Sequence, residues 1–211
     1  MKRTAMVLTA LLLVLLTACG GNSSMPPSSA GGGASSHTSS IVADSGAPEA
    51  GNALVNARIG LGIVATTDES TAPTGEKAGQ FQANVAICAL ALGEDNTILS
   101  VRFDTVQAKV GFDLAGMFTG DVTTPIQTKR ELGDSYGMKA ASGIGKEWYE
   151  QINALEQWMV GKTVTDAVNM KVTERDAAHT HVPAEEELKT SVTISVTDQL
   201  RALEKAYANV K

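Results

Sequence analysis

Residues 80–107 read QFQANVAICALALGEDNTILSVRFDTVQ. Phe81, Ala83, Val85, Ile87, Ala89 and Ala91 fall on one side of an extended chain, and Gln82, Asn84, Ala86, Cys88, Leu90 and Leu92 on the other. That period of two predicts a strand whose second face becomes buried towards its end. Gly93-Glu94-Asp95-Asn96 is turn chemistry, because Gly, Asn and Asp tolerate the left-handed backbone of tight hairpins. The alternation then resumes, with Leu99, Val101 and Phe103 inward and Ser100, Arg102 and Asp104 outward. A hairpin over about 80–107 is the nucleus of the predicted fold.

Upstream, residues 53–67 (ALVNARIGLGIVATT) are small and β-branched, and predict a first strand or strand pair. Downstream, residues 109–118 extend the sheet by another strand. Beyond them the period changes to 3.6. Trp148, Ile152, Leu155 and Met159 recur at helical spacing within 144–160, flanked by Tyr149 and Trp158, with Lys146, Glu147, Glu150 and Gln157 off the stripe. Ser142 is the expected cap of that helix and Gly161 its terminator. Thr163-Val-Thr-Asp166 opens a short helix to about Asn169, and Ser195-Val-Thr-Asp198 repeats the capping pattern ahead of Leu200, Leu203, Tyr207 and Val210. Residues 189–195 (KTSVTIS) fit either a strand or the extended entry to this last helix. Strands first and helices later imply an α+β fold: an antiparallel sheet with a central hairpin, and C-terminal helices packed on one face.

The folded region is expected to begin near residue 52. Lys2 and Arg3 precede an apolar run from Ala5 to Leu16, too short to span a bilayer but suited to a secretory signal. Leu16-Thr17-Ala18-Cys19 ends that run and looks like a bacterial lipobox, which implies lipidation of Cys19 and a mature chain starting there. Residues 20–51 are Gly, Ser, Ala and Pro with few large apolar side chains, the composition of a tether that cannot bury enough apolar area to fold. The expected organisation is a signal peptide at 1–18, a lipidated cysteine and tether at 19–51, and one α+β domain at 52–211. The expected location is the outer face of the cell membrane.

Composition removes several function classes. The 211 residues carry 17 basic and 23 acidic side chains and no dense Lys/Arg stretch after the first residues, which argues against nucleic acid as a partner. Two distant cysteines, Cys19 and Cys88, give no disulfide framework, and no Cys/His spacing matches a zinc site.

The Gly-Glu-Asp-Asn-x-Ile turn, the Val-x-Phe-Asp strand, the helices, and the Ser/Thr-rich stretch opening a C-terminal amphipathic helix together resemble the small FMN-binding domain of electron-transfer lipoproteins. The stretches Lys129-Arg-Glu-Leu-Gly-Asp-Ser-Tyr-Gly-Met138 and Gly145-Lys-Glu-Trp-Tyr-Glu-Gln151 are similar to a family of uncharacterised Gram-positive lipoproteins, a likeness that implies no activity. In flavinylated members of the first family FMN is joined by a phosphoester to the last hydroxyl of an Asp-x-Ser/Thr-Gly/Ser-Ala-Thr/Ser motif. Residues 188–193 (LKTSVT) are the nearest match, which implies Thr193 as the acceptor, with Leu188 in place of Asp and Val192 in place of Ala.

Other candidates come from residue chemistry. The segment 129–142 concentrates Lys129, Arg130, Glu131, Asp134 and Tyr136 beside Trp148 and Tyr149, so a groove there offers cations to an anionic ligand and rings to a planar one. A connecting loop with internal ion pairs explains the same residues. His179-Thr-His181 ahead of Glu185, Glu186 and Glu187 suits a metal site or a solvated acidic loop. Cys88 reads as a buried small hydrophobe, and Ser142, His179 and Asp134 lack the Gly-x-Ser-x-Gly elbow of a hydrolase. The sequence therefore predicts a membrane-anchored binding or accessory module without catalysis, taking a small molecule or a membrane-protein partner; the alternative is a divergent FMN-carrying electron-transfer lipoprotein.

Overall fold

The computed structural model describes residues 56–177 and 179–211. The expected signal peptide, the expected lipidation site Cys19 and the expected tether lie outside the described residues.

Four strands form one antiparallel sheet in the order β1 (Arg58–Thr66), β2 (Gly79–Leu92), β3 (Ile98–Phe112) and β4 (Phe118–Thr119). The hairpin expected from alternation is its centre, and it is longer than expected, pairing from Gly79 with Phe112 to Leu92 with Ile98. Asn96 takes a left-handed φ of 65° in the turn, and Asp95 Oδ1 accepts from the Thr97 backbone N–H and hydroxyl. The strand expected over 109–118 is instead the continuation of β3, followed by the two residues of β4.

Helix α1 (Lys129–Leu132) and a 3-10 turn at Gly133–Tyr136 follow, then α2 (Trp148–Met159), α3 (Val164–Val168), a two-stranded ribbon of β5 (Val172–Thr173) and β6 (Val182–Pro183), and α4 (Thr197–Ala208). Helix α4 packs on β1 and β2, and α2 on β3. The fold is α+β.

The helices cover the side of the sheet that alternation has buried towards the end of β2 and inward on β3. Ala86, Cys88, Leu90 and Leu92 of β2, with Val101 and Phe103 of β3, are buried beneath Ile152, Leu155, Met159, Ala202, Leu203 and Ala206. The more uniformly apolar face of β2, which carries Phe81, Val85 and Ile87, points away from the helices. Glycine decides the choice. A Cβ on Gly60 would stand 2.1 Å from the Ala206 carbonyl oxygen, and one on Gly62 would stand 1.9 Å from that of Ala202. The bare β1 backbone lets α4 lie directly on it, and only the face bearing these glycines accepts a helix so closely.

The last turn and tail of α4 then close the sheet edge. Lys205 Nζ, Asn209 Nδ2 and the Lys211 backbone N–H donate to the carbonyls of Ile63, Leu61 and Ile59, at 3.0, 3.0 and 3.2 Å. An edge strand left open invites pairing with other chains, and here its acceptors are occupied.

Helix starts differ from expectation in two places. Helix α2 begins at Trp148, not near 144, and Ser142 is not its cap. Glu150 reaches back to accept from the Glu147 N–H at 2.7 Å, while the Glu147 carboxylate is buried and accepts from the backbone N–H groups of Met138 and Lys139 at 2.9 and 2.8 Å. Glu147 therefore ties the preceding loop down; it does not lie on a solvated face. Thr163 caps α3 as its sequence implies, accepting from the Asp166 N–H at 3.1 Å. Ser195 does not cap α4, which starts after Val196 with no side-chain cap. Residues 189–191 form a turn and 192–195 run irregularly into α4, with no strand, because Leu188, Val192 and Val196 all turn into the core.

Candidate functional site

Past Ala86 on β2 and Phe103 on β3 the helix-facing side of the sheet changes character. Gln82 and Asn84 lie across from Lys109 and Gln107, and Ala86 across from Thr105. Apolar helix residues no longer cover this end. It becomes the floor of a polar cleft of about 270 Å³, walled by the first turn of α4 (Thr197, Asp198, Gln199), by Ile194 and Ser195, and by Trp148, Lys129, His179 and Glu69.

The floor is a network of amides. Gln82 Nε2 donates to Glu69 and, at 3.1 Å, to Asn84 Oδ1, which also accepts from Gln107 Nε2 at 3.2 Å. Gln199 Nε2 donates to the Thr105 hydroxyl at 3.4 Å. Side chains locked this way keep a fixed set of donors and acceptors, which a ligand with a hydrogen-bonding edge can use without first ordering them.

Lys129 sits at the rim. Its ammonium lies 4.9 Å from the Tyr136 ring centroid and 5.5 Å from that of Trp148. The capping box of Thr128 and Glu131 starts α1 and sets the lysine in place. Three of the residues singled out in sequence, Lys129, Tyr136 and Trp148, are thus brought together, with the Trp148 ring itself buried. Tyr149 is the third aromatic of that group, and its hydroxyl donates to Asp134 Oδ1 at 3.0 Å, which raises its pKa above the usual tyrosine value.

Arg130 is placed elsewhere. Its Nε donates to the Phe103 carbonyl, Nη1 to Asn153 Oδ1 at 2.8 Å, and Nη2 to Glu156. Glu156 Oε1 in turn accepts from the Phe103 backbone N–H at 2.6 Å. The buried pair supplies both hydrogen bonds that the free edge of β3 needs at Phe103, so this guanidinium serves the sheet and not the cleft.

Thr193 borders the cleft through its neighbours Ile194 and Ser195. Its N–H and hydroxyl donate to Gln151 Oε1 at 2.8 and 3.3 Å, and its carbonyl accepts from Arg175 Nη1 at 3.0 Å. Gln151 is fully buried and uses Nε2 to hold Ser142 Oγ and the Lys146 carbonyl, both at 3.2 Å. The two departures from the flavinylation motif, Leu188 and Val192, are core residues here.

His179 lines the cleft with Nδ1 at 2.6 Å from Asp176 Oδ1, and Arg175 Nε lies 3.1 Å from the other oxygen of that carboxylate. His181 faces outward beside Thr180. Among the described residues no three His, Cys, Asp or Glu side chains converge as a metal site. Ser142, His179 and Asp134 each have a different partner and form no triad. The Cys88 thiol is pushed up to about 12, first by burial and then by the Glu156 charge, so it is no nucleophile.

Sequence reasoning missed Gln151, Glu147, Glu156 and the amide floor. The signal for the floor was present: Gln82 and Asn84 share a face with the core residues of β2, and Thr105 and Gln107 continue the face of Val101 and Phe103.

No family model matches the chain, and no solved structure matches it. The chain is similar to a curated protein named chlorophenol reductase, from Desulfitobacterium hafniense, at 30% identity over 123 residues, which is 51% of this chain and 35% of that protein. It thus spans about a third of that relative's length.

Proposed function

We propose that this chain is a lipid-anchored extracytoplasmic binding module, and that its cleft takes a planar phosphorylated ligand, with FMN the best candidate. The carrying observation is the meeting of three features in one cleft: the first turn of α4, free of a side-chain cap, the Lys129 ammonium, and the amide floor on β2 and β3. The first N–H groups of a helix favour an anion, and α4 is 12 residues long, enough to present its dipole. Lys129 adds a full charge. Gln107, Asn84 and Thr105 offer donors and acceptors of the kind that pair with the pyrimidine edge of an isoalloxazine. Asp198 and Glu69 oppose an anion at the walls, and so favour a ligand whose charge sits at one end only.

The likeness to a protein named for a reduction supports a redox-active ligand over an inert one. When bound, FMN would supply electron transfer; the chain's residues bind it, orient it and screen it from water. Attachment is non-covalent in this reading, because Leu188 and Val192 fill the core where the motif needs a carboxylate and a small residue, and Gln151 engages the Thr193 hydroxyl.

Titrating the detergent-solubilised full chain with FMN tests this. Bound flavin should show quenched fluorescence, and Lys129→Met should weaken binding about tenfold, the effect of removing one charge-assisted contact. Intact mass should stay unchanged after co-expression with a flavin transferase. A gain of one FMN less water, lost in Thr193→Ala, would replace the non-covalent reading with a covalent one. A chain that neither quenches nor colours removes flavin altogether. For the anchor, Cys19→Ala should release the protein from the membrane fraction or leave unprocessed precursor; a mutant that still partitions into detergent defeats the anchor.

A further inference from the structure

The face of the sheet turned away from the helices has no cover among the described residues. On it stand Ile59, Leu61 and Ile63 of β1, 58%, 53% and 49% exposed, and Phe81 of β2, 46% exposed. Register places Ile87 beside Ile63, Val85 beside Val106, Phe81 beside Val110, and Phe112 beside Phe118 of β4, so the apolar surface is continuous across all four strands. Strands β1, β2 and β3 are 9, 14 and 15 residues long. With a rise of about 3.3 Å per residue and strands about 4.8 Å apart, their outer face covers on the order of 600 Å². Contiguous apolar patches beyond a few hundred Å² are rare on monomers, and two such faces together would bury about 1,200 Å², the lower edge of specific interfaces.

We propose that this face is the interface of a homodimer, in which the sheets of two copies pack face to face as a β-sandwich. The charges choose the occupant. Arg102 and Asp104 are the only charged residues on this face of β1, β2 and β3, and they are opposite in sign and two positions apart on β3. A two-fold axis crossing β3 between them sets Arg102 of each copy against Asp104 of the other, the self-complementary pattern that an isologous contact requires. The Arg102 guanidinium bridges to Glu156 at 3.4 Å within its own chain yet stays 61% exposed, and the Asp104 carboxylate is held in place by the backbone N–H groups of Thr105 and Arg130, at 2.7 and 3.3 Å, so both charges are fixed at the rim of the face. A bilayer is the poorer occupant, because the face carries no lysine and its one arginine is offset by Asp104. The edge of β1 is already capped by α4, which leaves the face and not the edge for contact.

Sedimentation equilibrium of the full chain in density-matched detergent tests the proposal. The unaltered chain should be dimeric at micromolar concentration. Leu61→Glu should raise the dimer dissociation constant at least tenfold. Arg102→Asp should do the same by setting like charges together across the axis; it also gives up the bridge to Glu156, so an unchanged circular dichroism spectrum is required of it first. Val172→Glu, at an exposed apolar residue of the separate ribbon, should leave the dimer intact. An unaltered chain that stays monomeric, or a dimer indifferent to both Leu61→Glu and Arg102→Asp, overturns it. A monomer whose Ile59–Ile63 strand is labelled by a lipid-phase photoprobe assigns the face to the membrane and overturns it equally.

Discussion

The helix-facing sides of β2 and β3 are one surface with two fates. From Ala86 to Leu92 and from Val101 to Phe103 the side chains are apolar and disappear under α2 and α4. From Gln82 to Asn84 and from Thr105 to Gln107 the same strands, with the same period of two, carry amides and hydroxyls and end in a cleft. Apart from a register shift at Ala91/Leu92 the two strands pair regularly along both ends. Residue class distinguishes them: apolar side chains draw a helix onto the sheet because their burial is favourable, whereas a row of amides must keep hydrogen-bond partners and tolerates a wet, half-open neighbour. A single step in polarity at the Ala86–Thr105 pair therefore converts a core into a site.

The dry end should break hardest. Phe103→Ala removes a fully buried ring at the centre of the packing and should cost about 4 kcal/mol, within the range for large-to-small core changes. Urea denaturation of the full chain measures it, and a loss below about 1 kcal/mol would mean that this end is not close-packed. Gly62→Ala should come next, at about 3 kcal/mol, because the added methyl meets the backbone of α4, which cannot rotate out of the way as a side chain can. Gly75→Ala, in an open loop with φ of +56°, is the contrast: its cost is local strain of about 1 kcal/mol, with no helix displaced.

The same contrast has a pH signature. The Cys88 thiol is raised from 9.0 to about 12 by burial and by Glu156. Below pH 9 both folded and unfolded chains hold this proton, so its contribution to stability is complete. Between pH 9 and pH 12 the unfolded chain releases the proton while the folded chain keeps it, and stability falls as pH rises. The urea midpoint of the native chain should drop more steeply over that window than that of Cys88→Ala. Equal slopes, or rapid reaction of the native thiol with a maleimide at neutral pH, would show that this end of the sheet admits water.

Local pattern carried the hairpin, the first strand, the C-terminal helices and the cap at Thr163, because alternation, turn residues and caps act over a few neighbours. The inward side of β3 and the late burial of one face of β2 were legible; that the opposite face of β2 stays uncovered was not. Phe81, Val85 and Ile87 make the more apolar side, yet Gly60 and Gly62 on a different strand decide which side takes α4. The site divides in the same way. Lys129, Tyr136 and Trp148 lie near one another in the chain and were drawn into one groove from sequence, and they meet. Arg130, next to Lys129, was drawn into the same groove but is claimed by Glu156 and the Phe103 backbone, 26 and 27 residues away, a pairing that no local spacing reveals. Thr193 was read from a motif, whereas the partner that holds it, Gln151, is 42 residues distant and sits among helix residues that looked merely polar.

The gentlest change moves the boundary itself. Thr105 is buried at the step, and its hydroxyl accepts from Gln199 Nε2 at 3.4 Å. Thr105→Val keeps the shape, loses one long hydrogen bond and leaves the Gln199 amide to find water in the open cleft, so stability should change by less than about 1 kcal/mol. Ligand affinity should change more than stability does, because a dry layer then reaches into the floor and one polar group that a bound flavin edge would meet is gone. FMN titration and urea denaturation of the same variant separate the two effects. Unchanged flavin affinity with an unchanged fold would move the ligand off the sheet floor and towards Lys129 and the α4 terminus alone. A large loss of stability would mean that the amide network is part of the core, and that the cleft is wet at its mouth only.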